Sequence, residues 1–501
     1  MADRKELNIR KYTVVPNIHL NEVRMIEVPH MKDRVVITDQ NRDDPHLVNK
    51  RMFTGPEGTS YYNDYQTDYS CILADIVRKP NDKPYITAYV RGGPRSKLWF
   101  NPKKSNAVIV TCGGLCPGLN NVIREVTCSL IENYGVEHVY GIYEGYSGFE
   151  KALSDPSYMV DLTLQFIATI HHEGGSILKS SRGGFNADKI IEWCLKYNVN
   201  MIYVIGGDGT HRGATVLFEE IEKRNLNIAV AGIPKTIDND IAMVDRSFGF
   251  DTAVQESLHA IHSAWVEATC APNGIGLVKL MGRDAGFIAA FATISSHDVD
   301  LCLIPEVPVV FDDPEFPEYS IIPYIESILK LKKHCVIVVS EGVQIQGVQG
   351  SGTDESGNKR YADVGKFLKD YLTSTFAERG NPVSVKYIDP SYMIRTTPAN
   401  AFDSQQCLIL AENVVHGVMA GYTGFTVGLC NNRTVYIPIE MLTDNSPRYL
   451  YPFGRTYERV VNITNQPDFS QYMKIQMDRK AKLAAEKVDE KPAEKVDEPK
   501  A

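Results

Sequence analysis

The stretch "YVIGGDGTHRGA", residues 203–214, sets a single carboxylate, Asp208, between Gly207 and Gly209 where an apolar run stops. Glycines at a strand end let the backbone turn tightly or touch a ligand closely. A carboxylate there repels a bare phosphate but suits a divalent cation that takes the carboxylate on one side and phosphate oxygens on the other, which is Mg²⁺ chemistry. The competing reading is local: Asp208 caps a helix that begins "THRGATVLFEEIE". A second loop, "TCGGLCPGLNNVIREV" (111–126), carries Gly113, Gly114 and Gly118 ahead of a helical pattern, so a helix N-terminus faces a cleared loop. That is a phosphate-binding design, though a plain strand–helix turn has the same look. A third, "GIPKTIDNDI" (232–241), places Asp238 and Asp240 two apart behind Lys235 and Thr236. Near a metal-bound phosphate, one carboxylate can take an alcohol's proton while the other holds metal or solvent. Alone, "DND" reads as an Asx-rich turn.

The three loops together, with the arginines of "SSRGG" and "KLMGRDAGF", point to phosphoryl transfer. The chain has no GxxxxGK[ST] loop, no protein-kinase catalytic loop and no GxGxxG followed by a ribose-binding acid.

Elements must hold these loops in place. "AVIVTCGG", "MIYVIGGDG", "IAVAGIPKTIDND", "GIGLVKLMGR" and "CVIVVSEG" read as buried strands that end in glycine or charge. Between them lie amphipathic segments such as "DTAVQESLHAIHSAWVEA", with Val254, Leu258, Ile261 and Trp265 on one helical face. Strand, turn and helix in repetition predict a doubly wound parallel α/β fold with ligands at the carboxyl ends of the strands. Residues 1–105, rich in Tyr, Asn, Asp and Pro, read as an irregular extension, and 471–501, ending "AEKVDEKPAEKVDEPKA", as a solvated, disordered charged tail. The formal charge of −9 argues against a nucleic-acid partner or an acidic membrane surface, and no apolar run is long enough to span a bilayer. The N-terminus has neither a signal-peptide core nor a transit pattern, and the ten cysteines are scattered, so a reducing, cytoplasmic setting is expected.

"GGLCPGLN", "SSRGG", "GGDGT", "PKTIDND", "FGFDTAV", "LMGRDAGF" and "YIDPSYMIR" occur in order over roughly residues 106–445. In this the chain resembles the 6-phosphofructokinases, and within them the plant-type ATP-dependent branch. The resemblance implies transfer of the ATP γ-phosphoryl to the 1-hydroxyl of fructose 6-phosphate in glycolysis, with Mg²⁺ as cofactor. It also implies two similar Rossmann-like domains: a nucleotide domain of 106–249 completed by 394–445, and a sugar-phosphate domain of 250–393 with 446–470 packing back. By the same resemblance Gly114, Arg182 and Gly183 line the nucleotide phosphates. Gly207, Asp208, Gly209 and Thr210 complete that loop, with Asp208 on Mg²⁺. Asp238 is the base, with Thr236 and Ile237 beside it at the sugar. Met281, Gly282 and Arg283 contact the sugar phosphate, and Arg283 also faces the transition-state charge. Glu341 accepts from sugar hydroxyls, and Tyr392, Met393, Ile394 and Arg395 form the 6-phosphate end. An allosteric homo-oligomer, a tetramer or a hetero-oligomer with sister subunits, is the implied assembly.

The sequence departs from the bacterial-type pattern at Gly274 and Lys386, where arginines are usual, and at Tyr392, which replaces a histidine. Lys179 replaces a glycine and adds a positive charge near the nucleotide. Lys235 is shared with pyrophosphate-dependent relatives and favours that donor. Gly209 favours ATP, because the aspartate typical of pyrophosphate users would crowd an α-phosphate. A non-catalytic regulatory subunit is the rival from another class.

Overall fold

The computed structural model describes residues 22–33, 65–77, 79, 82–345 and 362–489. Its strands are β1 (Glu22–Met25), β2 (Cys71–Leu73), β3 (Tyr85–Arg91), β4 (Asn106–Thr111), β5 (Val139–Ile142), β6 (Met159–Asp161), β7 (Val199–Gly206), β8 (Ala229–Pro234), β9 (Gly274–Leu280), β10 (Leu301–Leu303), β11 (His334–Ser340), β12 (Ser384–Ile388), β13 (Phe425–Cys430) and β14 (Arg433–Pro438). They form two sheets, one ordered β1-β3-β14-β13-β8-β7-β4-β5-β6 with β2 on β3, the other β10-β11-β9-β12. In the first sheet β8, β7, β4 and β5 run parallel, and in the second every pairing is parallel.

Central strands of a parallel sheet are covered on both faces, and their sequences show it. β7 and β8 are buried along almost their whole length, as "VNMIYVIG" and "AVAGIP" require. After β4 the chain adds β5 on one side and β7 on the other, so β4 is the point where strand order reverses. The crevice outside such a switch point is where ligands bind in this architecture. The loops after β4, β7 and β8 all open there.

The helix Phe250–Thr269 differs in detail from its sequence pattern. Beyond Phe250 at its start, its buried face is made mostly of small residues, Thr252, Ala253, Ser257, Ala260, Ala264 and Ala268, together with Ile261, whereas Val254, Leu258 and Trp265 are only half-buried. The reason is close approach to β9. A Cβ at Gly274 would lie 2.1 Å from the Ala268 carbonyl oxygen, and one at Gly276 would lie 2.6 Å from that of Ala264. Gly274, which stands where an arginine is usual in bacterial relatives, is therefore fixed here by helix–strand packing.

Parts of the expected extension and tail are regular. "YITAYVR" is not irregular: β3 pairs with β14 and β1, and it continues the main sheet, with Ala88, Tyr89 and Val90 buried. Within the expected tail, the helix Phe469–Asp489 docks through Tyr472, which donates to Asp313 (3.1 Å), and Arg479, which pairs with Glu315 (2.5 Å). Residues 490–501 lie outside the described residues, as do 1–21 and 34–64 of the extension. The return to the first sheet is built by the helix Ala401–Ala420 with β13 and β14. Beyond it, Leu450 donates to Glu306 and Gln466 bonds both backbone groups of Cys302, tying this segment to the smaller sheet.

Candidate active site

The loops after β4, β7 and β8 meet those after β9 and β11 around a cavity of about 740 Å³. Thirteen residues singled out in the sequence line it: Gly114, Arg182, Gly207, Asp208, Gly209, Lys235, Thr236, Ile237, Asp238, Met281, Arg283, Glu341 and Arg395.

On the first-sheet side, β7 ends at Gly206 and, after Gly207, the helix Asp208–Lys223 begins, so the N–H groups of its first turn stand at the cavity. Asp208 sits in the first turn of that helix, and the Arg212 guanidinium holds its Oδ2 at 3.1 Å. Its Oδ1 is buried and has no hydrogen-bond partner. Gly209 follows in the helical turn, its φ outside the left-handed region, and a Cβ added there would meet nothing within 4 Å. Neither backbone conformation nor neighbouring protein atoms require glycine at this point. Gly183 also has open space around it, but its φ of +72° accounts for it. Beneath the loop, the buried Lys235 ammonium donates to the Gly114 carbonyl at 2.7 Å. Burial pulls the Lys235 pKa down from its ordinary value.

The loop after β8 carries the carboxylates. Asn239 sits at φ +56°, a left-handed conformation that asparagine tolerates, and its side chain accepts from the Ser247 amide at 3.1 Å. Arg448, arriving from the far end of the chain, donates to the carbonyls of Asn239 (2.9 Å) and Val244 (2.8 Å), clamping the loop. Asp240 accepts from the Thr236 hydroxyl at 2.7 Å. Asp238 is held differently, because its Oδ1 is buried with no partner. Burial, with Asp240 and Glu341 nearby, pushes the Asp238 carboxyl well above the usual carboxylate range, and the Arg283 backbone amide offsets part of this. Glu341, at the end of β11, is also raised by burial, against the pull of Arg283 and Lys279.

Six expected residues are not in the lining. Thr210 is buried behind the loop, its carbonyl accepting from the Tyr146 hydroxyl at 2.9 Å. Gly282, at φ +127°, is fixed by its own surroundings, since a Cβ would lie 2.5 Å from the Ala285 carbonyl oxygen. Gly183 lies in the turn beside Arg182. In the short helix Ser391–Arg395, Tyr392 and Met393 are each 77% exposed and Ile394 is buried, so only Arg395 reaches the cavity. Successive helical residues differ by about 100° in direction, which is why one motif cannot send all four side chains to one place. The Arg395 Nε is buried and lacks a partner.

The cavity also has walls that no motif marked. His211 and Arg212 follow Asp208 on the helix, and Leu442, Ser446 and Pro447 close the space from about two hundred residues away in sequence. The i, i+4 spacing of Asp208 and Arg212 was the available signal for the arginine. Nothing in the sequence marks the distant segment.

The arrangement is that of a doubly wound α/β protein with a polyanion-binding cavity at its topological switch point. The family model described as phosphofructokinase matches residues 106–418, and the chain belongs to that family. ATP-dependent 6-phosphofructokinase 1 of Arabidopsis thaliana is 48% identical over 79% of this chain and 82% of its own length. The ATP-dependent 6-phosphofructokinase of Borreliella burgdorferi is 43% identical over 75% of this chain and 85% of its own length. Among solved structures, Pichia pastoris phosphofructokinase in the T-state superposes with a TM-score of 0.55 at 20% identity, covering 77% of this chain and 39% of that one. The pyrophosphate-dependent phosphofructokinase of Marinobacter aquaeolei gives 0.54 at 19% identity, covering 72% and 91%. At such identities these two structures speak for the fold alone.

Proposed function

We propose that this chain moves the γ-phosphoryl of ATP to the 1-hydroxyl of fructose 6-phosphate, giving fructose 1,6-bisphosphate and ADP, as a glycolytic enzyme. The relatives named above carry that activity in their names. The observation that carries the reading for this chain is the pair of orphaned carboxylate oxygens, Asp208 Oδ1 and Asp238 Oδ1, in one cavity. A buried acceptor without a partner is costly and calls for a ligand.

Asp208 Oδ1 fits a Mg²⁺ ion, which when bound would neutralise phosphate charge on the donor. No cluster of three or more His, Cys, Asp or Glu residues able to hold a metal occurs among the described residues, so one carboxylate shared with phosphate oxygens is the fitting mode. The helix N-terminus at Gly207–Thr210, Gly114 and Arg182 hold the donor phosphates, and Lys235 fixes the Gly114 turn. Asp238 takes the proton of the attacking hydroxyl. Its Oδ1 is unpartnered while Asp240 is taken up by Thr236, and burial raises the affinity of Asp238 for that proton. Thr236 and Ile237 lie beside it at the sugar, Met281 and Glu341 bound the sugar ring, and Arg283 meets the charge that develops on transfer. Arg395 holds the 6-phosphate. In this scheme 106–249 with 394–445 is the nucleotide half, and 250–393 with 446–470 the sugar-phosphate half.

The pyrophosphate reading rests on Lys235, which gives one of its three N–H donors to the Gly114 carbonyl and lines the cavity. We take the enzyme to be cytoplasmic and a homotetramer. All ten cysteines are free, which fits a reducing compartment, and no helix among the described residues is long and apolar enough to cross a membrane. A coupled assay of the purified chain with Mg²⁺, fructose 6-phosphate and either ATP or pyrophosphate tests the reading. Turnover with ATP is expected. Turnover with pyrophosphate alone would reassign the donor, and none with either would leave a regulatory subunit.

A further inference from the structure

A second cleft, of about 710 Å³, lies away from the catalytic cavity and shares no lining residue with it. Its walls are the end of β3, the start of β14 and the N-terminal half of the helix Ala401–Ala420. Its chemistry is one-sided. Arg91 and Arg433 line it, and in a chain of net charge −9 no carboxylate does among the described residues. The β3–β14 register sets Arg91 opposite Val435, two residues from Arg433, so the two arginines are diagonal neighbours at one end of the pair. Cβ atoms in that relation are about 7–8 Å apart, a span that two guanidinium groups can close on one anion.

Among the described residues neither guanidinium has an acidic partner: Arg91 is half-exposed with no side-chain hydrogen bond, and Arg433 reaches only the carbonyl of its neighbour Asn432, at 3.3 Å. Asp245 accepts from the backbone amide of Asn432 at 2.8 Å and makes no ion pair with Arg433. A second and independent signal comes from Gln406, which also lines the cleft. It is 3% exposed, and its Nε2 donates to the Arg246 carbonyl at 2.8 Å while its Oε1 is buried without any partner. A buried amide oxygen left unpaired asks for a donor, such as a hydroxyl. Arg246 leads through Ser247 to Asn239, so the cleft lies behind the loop that carries Asp238.

We propose that this cleft binds a small hydroxylated anion, its phosphate or carboxylate group between Arg91 and Arg433 and its hydroxyl on Gln406. Paired arginines suit either anionic group through charge-assisted, forked hydrogen bonds. This inference does not depend on the reading of the catalytic cavity.

Isothermal titration calorimetry on the full-length protein tests it, with inorganic phosphate in one arm and malate in the other. The catalytic cavity holds its own arginines, so each arm is repeated on Arg395→Gln and on the double variant Arg91→Gln/Arg433→Gln. The expected result is an event that survives in Arg395→Gln and weakens about tenfold or more in the double variant, consistent with losing a charge-assisted pair. The arm that shows it identifies the anionic group. Arg433→Glu, at an exposed position, should abolish the same event, and the melting temperature of the unliganded variants confirms that they fold. Binding that is unchanged in the double variant, or that disappears entirely in Arg395→Gln, would overturn the proposal.

Discussion

The cavity wall carrying Gly114, Gly207 and Gly209 and the wall carrying Asp238, Met281 and Glu341 treat water differently. The first is made of backbone and cleared space. Its one carboxylate, Asp208, keeps 41% of its side chain exposed and already shares Oδ2 with Arg212. The second is less solvated around its carboxylates: Asp238 and Glu341 are half-buried, desolvation pushes their carboxyls upward, and Met281 beside them is 4% exposed. The difference teaches a division of labour. An open, N–H-rich wall suits a mobile polyanion and its cation, whereas a less solvated wall raises a carboxylate's affinity for a proton, as a base acting on an alcohol requires.

Removing the base should be the hardest blow to the less solvated wall. Asp238→Ala is expected to lower kcat by roughly 10² to 10⁴ while ATP affinity changes little, because only the proton acceptor is lost. Steady-state rates and nucleotide binding on the same preparation check both halves, and near-normal kcat would hand the base to another residue.

On the open wall, Asp208→Asn should keep the hydrogen bond from Arg212 but weaken the cation site. The free Mg²⁺ needed for half-maximal rate should rise about tenfold or more, the equivalent of one charge-assisted contact. An unchanged Mg²⁺ titration would reduce Asp208 to the ion-pair partner of Arg212 in the first turn of its helix.

A gentler change sharpens the electrostatic side of the contrast. The active form of Asp238 is the carboxylate, so kcat/KM is present above its raised pKa and is lost as pH falls through it. The acid limb should therefore lie above the ordinary aspartate value of about 3.9. Asp240 is the foremost charged contributor to that rise. Asp240→Asn keeps a group able to bond Thr236 but removes the charge, so the limb should move to lower pH. A limb that stays in place would show that desolvation alone sets it.

The smallest effect is expected from deleting residues 490–501, the acidic and basic end of the chain, which should leave kcat and Tm unchanged. A clear drop in Tm would mean that this segment, too, docks.

Much of the open wall could be read directly from sequence, because a phosphate loop is written in consecutive residues: strand, glycines, helix. The five glycine- or charge-ended strands were legible for the same reason. What escaped depends on distance along the chain. Arg448 clamps the Asp238 loop from about two hundred residues away, and Leu442, Ser446 and Pro447 close the cavity from the same segment without any local pattern. β3 was hidden because "YITAYVR" joins the sheet through β14, a partner more than three hundred residues later. The Phe469–Asp489 helix escaped because its docking is concentrated near its start. There Phe469 is buried and Tyr472 packs on Phe316 and Tyr319 and bonds Asp313, with Arg479 reaching Glu315, and a mostly charged sequence follows without an apolar stripe. Tyr392 and Met393 show a limit of the motif: successive helical positions face different ways, so the motif does not tell which of its side chains meets the cavity, and Tyr392 stands under the Arg395 guanidinium at 5.2 Å.

The claim that the open wall is shaped for ATP is tested most directly at Gly209. Since a Cβ there meets no protein atom within 4 Å, Gly209→Asp should fold normally, and its unliganded Tm should not fall. The carboxylate would instead stand against an anionic phosphate in a partly desolvated site, where repulsion of several kcal/mol is reasonable. The measurement is kcat/KM for ATP on Gly209→Asp, with the KM for fructose 6-phosphate and the rate with pyrophosphate recorded alongside. The account predicts a loss of about a hundredfold or more for ATP at little cost to the sugar, equivalent to about 2.7 kcal/mol or more. Undiminished kcat/KM for ATP would contradict it and make Gly209 a turn residue with no donor to admit.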